Sequence, residues 1–315
     1  MENNQTKQAT ETNQNNPNVT NQNLMDPNLM NNQMVNPMMN PMMNPMMPMG
    51  GYMPGMPNNM GMMYMNPNNY VYVEDPMKEL AECNGAIIMQ EIEMFEVISG
   101  CETQNRYRVF IQSPKGLKFA FKCNERSGCC SRCCCSNSCR GLEIIVHHVA
   151  TAHELDTDLS KIYIKAKKPC AMGCCCMCRP EIYVNMAESN NVLGRVREPF
   201  ACCDYDYEIY DKSNRLKYEI SGSCCQYGFC CGSSAEKIME IEFKILKKGN
   251  VVGMMKKMGA TMGEYYTKAD SYKISFPVDA TPEDKMLLIM AGLLIDYQNF
   301  EKDSTPEKNK QPYRR

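Results

Sequence analysis

The sequence predicts a mainly β protein with one folded domain, and three observations support this prediction. Apolar and polar residues alternate over several short runs, a period typical of strands with one buried face. Two long stretches about 100 residues apart resemble each other, which indicates a body built from two related halves. A single apolar segment near the carboxyl end predicts one helix. Many short strands with one apolar face are typical of a sandwich or a barrel.

Residues 1–72 predict a disordered tail. Residues 1–70 carry 17 of the 30 Met and nine of the 18 Pro, but only four charged side chains. Because each Pro removes a backbone donor and favours extended geometry in the residue before it, neither a helix nor a central strand continues through this segment. The flexible Met side chains suit contact with protein partners or a lipid surface, and the alternative is a solvated tail that associates with itself.

The strands of the folded body follow from period-two patterns. Turn signals such as Ser113–Gly116 and Lys248–Asn250 separate the runs. The alternating apolar positions are Leu117, Phe119 and Phe121; Ile162, Ile164 and Ala166; Ile182, Val184 and Met186; Leu216, Tyr218 and Ile220; and Met239, Ile241, Phe243 and Ile245.

The two halves are recognised by a direct overlay. The segment Tyr107–Phe121 can be laid over Tyr207–Ile220 with one residue deleted in the turn. Each segment is followed by two pairs of cysteines and then by another strand-like run. Self-similarity of this kind predicts one structure made of two equivalent parts.

The predicted helix covers Met286–Ile295, which is apolar on every side. Thr281 is placed as its N-cap, with Pro282 at the first helical position and Asp284 at the third. Ten helical residues extend about 15 Å, half of a hydrocarbon core, so the segment is too short to span a bilayer. A buried core helix is therefore favoured over a membrane anchor. Residues 302–315 predict a polar carboxyl-terminal tail.

Charge and cysteine usage exclude several classes of protein. The chain has 34 Lys and Arg against 36 Asp and Glu, so bulk attraction to nucleic acid is not expected. All 20 cysteines lie between Cys83 and Cys231, and no signal peptide precedes them. The expected location is the cytosolic side of the cell, where thiols stay reduced and a disulfide scaffold is not expected.

Enzyme chemistry is also not expected. The three histidines, His147, His148 and His153, are not accompanied by a recognisable nucleophile arrangement, and no glycine-rich phosphate loop stands out.

Several separate motifs in a fixed order resemble the phospholipid scramblase family. The resemblance covers nearly all of residues 78–301, and the motifs are Glu96–Tyr107, the cysteine-rich runs, Cys174–Cys178, Ile274–Asp279 and the apolar segment ending at Asp296. It implies that residues 73–301 form a domain similar to the Tubby C-terminal domain, a closed antiparallel barrel of two related halves around a buried hydrophobic C-terminal helix.

The same resemblance implies a function. Scramblases move phospholipids between membrane leaflets in both directions without ATP, are stimulated by Ca²⁺, and are held by lipidated cysteines on the cytosolic face of a membrane, here expected to be the plasma membrane. Because the sequence has no long membrane span to line a polar path, the mechanism is left open.

One cluster combines thiols with basic residues. Cys174, Cys175, Cys176 and Cys178 match the family cluster that is S-palmitoylated, although Met177 stands where that family usually has Pro. One acyl chain gives marginal membrane residence, and a second chain or a basic patch makes it stable. The neighbouring cations expected to contact anionic lipid are Lys165, Lys167, Lys168 and Arg179. The alternatives are a metal site and small buried thiols.

A second group of cysteines has metal-ligand spacing. Cys130 and Cys133 show the Cys-x-x-Cys spacing of tetrahedral Zn²⁺ sites, and Cys224 and Cys225 from the other half could complete the set. Further acylation and plain packing are the alternatives.

The calcium stretch of the family corresponds here to residues 268–279. As an EF-hand loop it fails, because Lys268 stands at the first ligand position and Lys273 replaces the turn glycine. Asp270 and Asp279 remain as candidate Ca²⁺ ligands of weak affinity. Tyr272, Ile274 and Phe276 also alternate like an inward-facing strand.

Two functions are therefore carried forward. The first is a lipid-anchored scramblase that acts on membrane phospholipids. The alternative is a non-transporting, membrane-associated or zinc-binding adaptor that uses the barrel as a binding module.

Overall fold

The computed structural model describes residues 70–91, 104–128, 132, 139–157, 160–170, 179–201, 204–226, 239–258 and 270–300. The predicted carboxyl-terminal tail and all but the last three residues of the predicted amino-terminal tail lie outside these ranges.

The described residues form twelve strands and three helices. The helices are α1 (Pro76–Glu82), α2 (Ala152–Thr157) and α3 (Pro282–Asn299). The strands are β1 (Gly85–Glu91), β2 (Arg106–Ser113), β3 (Gly116–Arg126), β4 (Leu142–His148), β5 (Lys161–Lys168), β6 (Glu181–Met186), β7 (Val192–Arg197), β8 (Tyr205–Asp211), β9 (Leu216–Gly222), β10 (Ile241–Lys247), β11 (Asn250–Lys257) and β12 (Ser271–Ser275).

The strands close into an antiparallel barrel. Each strand pairs with its neighbours in sequence, and β1 pairs with β12 to complete the ring. Closure leaves no unpaired strand edge in the ring, which removes the usual site of edge-to-edge association. The predicted fold class, a mainly β barrel around a carboxyl-terminal helix, is confirmed.

Matching irregularities show that the barrel consists of two equivalent halves. A β-bulge interrupts the β2–β3 pairing between Val109 and Phe110, and the β8–β9 pairing has its bulge between Ile209 and Tyr210. A second pair of bulges follows Val146 in β4 and Ile245 in β10. Bulges are specific features of a strand pair, so their recurrence about 100 residues apart confirms the predicted duplication.

The strand pairing corrects the alignment of the halves. The sequence overlay set Phe119 against Tyr218, whereas Tyr218 lies opposite Ile209 and its structural equivalent opposite Val109 is Phe121. The second hairpin is thus three residues shorter than the first, not one. The apolar pattern could not reveal this difference, because a shift of two residues along a strand leaves every side chain on the same face.

Helix α3 occupies the interior of the barrel. Its first turn has a capping box in which the Thr281 hydroxyl accepts from the Asp284 amide and the Asp284 carboxylate accepts from the Thr281 amide. Every residue from Met286 to Ile295 is buried. The predicted buried helix is confirmed, and it extends a turn beyond the apolar segment at its carboxyl end.

Close approaches hold α3 against opposite walls of the barrel. At β7 the glycine belongs to the strand, because a Cβ atom on Gly194 would lie 2.8 Å from Leu287 Cδ1. At β1 the glycine belongs to the helix, because a Cβ atom on Gly292 would lie 2.9 Å from Ile88 Cδ1. Small and large residues therefore interdigitate at both walls, as close packing requires.

Buried polar contacts fix both ends of α3. The Lys285 ammonium donates to the carbonyl oxygens of Leu80 at 2.7 Å and of Cys83 at 2.8 Å, where α1 ends. At the other end, the Asp296 carboxylate accepts from the hydroxyls of Tyr107 at 2.5 Å and Tyr272 at 2.6 Å. The buried charged groups thus have polar partners, as burial demands.

A smaller apolar cluster covers part of the outer face. Tyr70 and Tyr72, which the sequence assigns to the tail, pack against Phe119, and Tyr70 also meets Phe110 edge-on with a ring separation of 5.3 Å. A backbone hydrogen bond adds to this contact, because the Phe119 amide donates to the Val71 carbonyl at 2.8 Å. This segment therefore belongs to the folded body.

Candidate functional site

The two rims of the barrel differ in what they carry. Because neighbouring strands are antiparallel, every odd-numbered strand ends, and every even-numbered strand begins, at the same rim. In the sequence, every cysteine except Cys83 and Cys123 falls in a segment that joins two strands at this rim. We call it the cysteine rim, defined by Arg106, Arg126, Leu142, Lys168, Glu181, Arg197, Tyr205, Gly222, Ile241, Lys257, Ser271 and Glu91.

The opposite rim has other connections. Short turns at residues 114–115, 212–215 and 248–249 join strands there, together with residues 187–191 and the segment that carries α2. We call this the hairpin rim. It also receives the start of α3.

The predicted acyl sites lie in the connection between β5 and β6. Cys174, Cys175, Cys176 and Cys178 themselves are outside the described residues, as are Cys130 and Cys133 of the predicted zinc set. The structure describes this connection up to Cys170, whose side chain is exposed, and again from Arg179.

Two of the four predicted lipid-contacting cations are free to meet a surface. Lys165 and Lys167 are exposed on the outer face of β5, next to the cysteine rim. Lys168 is only 1% exposed, and its ammonium donates to the Arg140 carbonyl at 2.5 Å. The alternation of β5 explains the difference, because residues 166 and 168 share the inward face.

Arg179 is engaged within the protein. It forms an ion pair with Glu198, just beyond the end of β7. Burial raises the pKa of the Glu198 carboxyl, and the attraction of Arg179 opposes this rise. The amide of Glu198 also donates to the Pro180 carbonyl at 3.0 Å, so the two connections are joined at their bases.

A buried ion pair fixes the base of the β3–β4 connection. Arg140 and Glu125 are both fully buried, with 3.2 Å between guanidinium and carboxylate. The other Glu125 oxygen accepts from the Asn105 amide at 3.0 Å. A Cβ atom on Gly141 would lie 3.0 Å from the Cys170 amide nitrogen, so the cysteine-rich β3–β4 connection ends beside the start of the β5–β6 connection.

Cys224 and Cys225 begin the β9–β10 connection at the same rim. Their sulfur atoms are 3.9 Å apart, and the Cys224 amide donates to Asp204 at 3.4 Å. The Gln226 side chain both donates to and accepts from the backbone of Glu242, which ties the two ends of this connection together. Whether these thiols join Cys130 and Cys133 at a zinc ion stays a prediction.

The predicted Ca²⁺ ligands are not brought together. Asp270 precedes β12 at the cysteine rim and Asp279 follows it at the hairpin rim, so the five strand residues separate them by about 17 Å. Asp270 lies 2.8 Å from the Lys257 ammonium, and Asp279 is paired with Lys247. The hydrogen bond from Lys247 lowers the pKa of Asp279. Across the described ranges, no group of three or more His, Cys, Asp or Glu residues has a geometry suited to a metal ion.

The structure adds residues that the sequence patterns did not indicate. Phe200, between β7 and β8, is 69% exposed, and Arg197 is exposed at the end of β7. Tyr183 lies across from Lys167 on one side and Arg195 on the other. The available signal was a single Phe in a short connection, which gives no periodicity to detect.

In the part of the chain that the structure describes, no helix combines the length and the apolar character needed to cross a bilayer.

Comparisons with known proteins agree on one family. The family model described as Scramblase matches residues 64–302. The chain is 29% identical to phospholipid scramblase 1 of Homo sapiens over 235 residues, which is 74% of this chain and 68% of that protein. It is 28% identical to phospholipid scramblase 2 of Bos taurus over 228 residues, 71% of each chain. It is 24% identical to phospholipid scramblase 4 of Homo sapiens over 276 residues, 84% of this chain and 78% of that one. No solved structure matches the chain.

Proposed function

Because the chain belongs to the scramblase family, we propose that it moves phospholipids between the two leaflets of a membrane, in both directions and without ATP. The observation that carries this proposal is the family match over residues 64–302, which contains every described strand and helix. The relatives are named for lipid scrambling, a transport process in which no covalent bond forms.

The proposal includes a lipid anchor at the cysteine rim, on the cytosolic face of the plasma membrane. Cys174, Cys175, Cys176 and Cys178 are the proposed palmitoylation sites. The exposed ammonium groups of Lys165 and Lys167 support this assignment, since a basic surface beside an acyl chain strengthens binding to anionic lipid.

The lipid path would run outside the barrel. Helix α3 and the inward side chains of the strands fill the interior of the described barrel, so no headgroup path passes through it. The obstacle to scrambling is the cost of carrying a polar headgroup through hydrocarbon. A barrel held against the bilayer lowers this cost by thinning or disturbing the leaflet that it contacts.

Calcium stimulation is part of the proposal. Asp270 and Asp279 are its candidate ligands. Because strand β12 separates them, they would not share one Ca²⁺ ion, and each would bind Ca²⁺ independently of the other. Weak affinity follows, because each carboxylate would have to exchange a Lys partner for Ca²⁺.

Reconstitution tests the transport proposal directly. Acylated protein purified from membranes is placed in liposomes that carry a fluorescent phospholipid in both leaflets, and dithionite is added with and without Ca²⁺. Transport gives loss of the whole signal, with no ATP present. The matched control has Cys174, Cys175, Cys176 and Cys178 changed to Ser. Loss of the outer-leaflet signal alone, in both conditions, contradicts the proposal.

A filled interior and separated carboxylates favour a second candidate, an adaptor that binds membranes or zinc but moves no lipid. It predicts that dithionite removes the outer-leaflet signal alone although the protein stays on the liposomes. Stoichiometric zinc in the purified protein would support its metal-binding form, with Cys130, Cys133, Cys224 and Cys225 as ligands.

A further inference from the structure

The turn that follows β9 holds two adjacent thiols side by side. The sulfur atoms of Cys224 and Cys225 are 3.9 Å apart, which is within hydrogen-bond distance for sulfur. In a continuous strand, adjacent side chains point to opposite faces, and two such sulfur atoms would not meet. Strand β9 ends at Gly222 and the backbone turns at both cysteines, so the two thiols come together.

Hydrogen bonds hold this turn in place on both sides. The Cys224 amide donates to the Asp204 carboxylate at 3.4 Å, and the Cys225 amide donates to the Ser223 hydroxyl at 3.3 Å. The next side chain, Gln226, donates to and accepts from the backbone of β10 at 2.8 and 2.7 Å. Because the sulfur atoms are already close, a bond between them forms within one molecule and needs no second encounter.

The two thiols can be reached from solvent. Cys225 is exposed, and Cys224 is partly exposed. Cys83 and Cys123, by contrast, are buried, and burial raises the pKa of both thiols. Since oxidants react with the accessible thiolate, the turn is a more reactive place than the barrel interior.

A disulfide between neighbours in sequence is strained. The Cα atoms of adjacent residues are about 3.8 Å apart across a trans peptide, whereas disulfides usually join Cα atoms about 4.4–6.8 Å apart. Strained and exposed disulfides are easily reduced, which is typical of regulatory rather than structural bonds. In a reducing compartment, the open dithiol is therefore the resting state of this turn.

We propose that Cys224 and Cys225 form a reversible redox pair, which hydrogen peroxide closes to a disulfide and a thiol reductant reopens. The Cys225 thiolate attacks one peroxide oxygen, the O–O bond breaks, and the departing hydroxide takes up the thiol proton as water. The Cys224 sulfur then attacks the Cys225 sulfur, the S–O bond breaks, and a second water leaves with the Cys224 proton. The two sulfur atoms lose two electrons, which the peroxide gains.

Closure changes what the turn can bind. A sulfur atom in a disulfide can neither accept an acyl chain nor bind zinc as a thiolate. The redox state of the pair would thus decide whether Cys224 and Cys225 are available for either purpose. This chemistry does not depend on lipid movement, so it goes beyond the proposed function.

Peptide mapping tests the closure. Full-length protein made in bacteria, without acylation, is reduced, freed of metal with a chelator, treated with hydrogen peroxide and alkylated. Chymotrypsin, which cleaves after Tyr, releases residues 219–227, and Cys224 and Cys225 are the cysteines of this peptide. The expected result is a peptide that lacks two hydrogen atoms and takes up no alkyl group. Excess glutathione is expected to restore both alkylation sites.

The matched controls are the two single changes. Cys224→Ser removes the resolving thiol, so the sulfenic acid at Cys225 is expected to persist and to be trapped by dimedone. Cys225→Ser leaves the less exposed thiol and is expected to give less of this adduct. Equal adducts in Cys224→Ser and the unchanged protein would contradict closure. So would two thiols that remain open to alkylation after peroxide, or a peptide cross-linked to another part of the chain.

Phenylarsine oxide tests the proximity of the thiols without oxidation. Two neighbouring thiols bind its arsenic atom together, and its oxygen leaves with their protons as water. The expected result is one arsenic atom on residues 219–227, lost on either single change. Absence of this adduct contradicts the proximity of the sulfur atoms. An arsenic adduct without closure by peroxide contradicts the redox role.

Discussion

At the scale of single residues, Asp296 is a buried ionisable group held by hydrogen bonds. Its carboxylate is 1% exposed and accepts hydrogen bonds from Tyr107 and Tyr272. Burial raises its pKa to about 7, the nearby charge of Asp270 adds to the rise, and the two hydroxyls and Lys257 oppose it. The side chain therefore holds its proton more strongly in the folded than in the unfolded chain.

This pKa predicts a stability that falls as pH rises. Below about pH 4 both states are protonated, and between about pH 4 and 7 the unfolded chain loses the proton first. Ionisation within the fold then costs on the order of a few kcal/mol. The Asn side chain of Asp296→Asn cannot ionise. In urea unfolding, the free energy of unfolding of the variant should therefore rise relative to that of the unchanged protein as the pH goes from 5 to 8.

Asp279→Asn is the control for this measurement. Lys247 lowers the pKa of the exposed Asp279, so that carboxylate stays ionised throughout the same range. Its variant should keep a constant difference from the unchanged protein. If Asp296→Asn also shows a constant difference, the raised pKa of Asp296 is not real.

At the scale of elements, the packing of α3 inside the barrel depends on two glycines with different surroundings. A Cβ atom on Gly194 would lie 2.2 Å from the Tyr210 carbonyl oxygen, a backbone atom of the neighbouring strand. A Cβ atom on Gly292 would meet the flexible end of Ile88. Backbone cannot give way as a side-chain methyl can, so the two positions differ in tolerance.

This contrast predicts a large loss of stability for the Ala substitution at one glycine and a small change at the other. Gly194→Ala should destabilise by about 3 kcal/mol or more, because overpacking forces β7 away from β8 or from Leu287. Gly292→Ala should stay within about 1 kcal/mol of the unchanged protein, because helix propensity offsets the small displacement of Ile88. Urea unfolding midpoints measure both, and equal losses would contradict the described packing of α3.

At the scale of the whole molecule, the rims divide the cysteines into two classes. Cys83 and Cys123 are buried, and burial raises the pKa of both thiols, that of Cys83 to about 11. Since the thiolate is the nucleophile, these two sites are poor acyl acceptors. The other cysteines belong to connections at one rim.

The division predicts a pattern of acylation. Protein from eukaryotic cells should carry hydroxylamine-sensitive labels at Cys174, Cys175, Cys176 and Cys178, and none at Cys83 or Cys123, when each site is resolved by mass spectrometry. Changing Cys83 to Ser should leave the labelled mass unchanged. Bare thiols throughout the β5–β6 connection would remove the anchor from the proposed function.

Much of the barrel could be predicted because most strands have one buried face and one solvent-exposed face. Ile182 and Val184 are buried, and their less buried neighbours Glu181, Tyr183 and Asn185 made β6 visible as an alternation. Strand β1 gave no such signal, because Ile87 and Met89 on its outer face are only 7% exposed. Its pattern is apolar on both faces, and nothing local distinguishes this from a buried helix.

The candidate site was less accessible to sequence reasoning. Four cations near a cysteine cluster looked equivalent, yet Lys168 and Arg179 are engaged by Arg140 and Glu198. These partners are distant in sequence, so composition could not reveal them. The separation of Asp270 from Asp279 likewise depends on the strand between them, which a linear ligand motif does not represent.

Helix α3 follows all twelve strands of the barrel along the chain, and this order has a consequence for synthesis. Both β1 and β12 leave the ribosome before the helix that fills the space between the walls. A nascent chain therefore exposes apolar strand faces that α3 has not yet covered, and premature pairing of β1 with β12 would exclude the helix from the interior. Cells need to keep this intermediate from aggregating, so association with chaperones should be strongest after β12 has emerged and before α3 has.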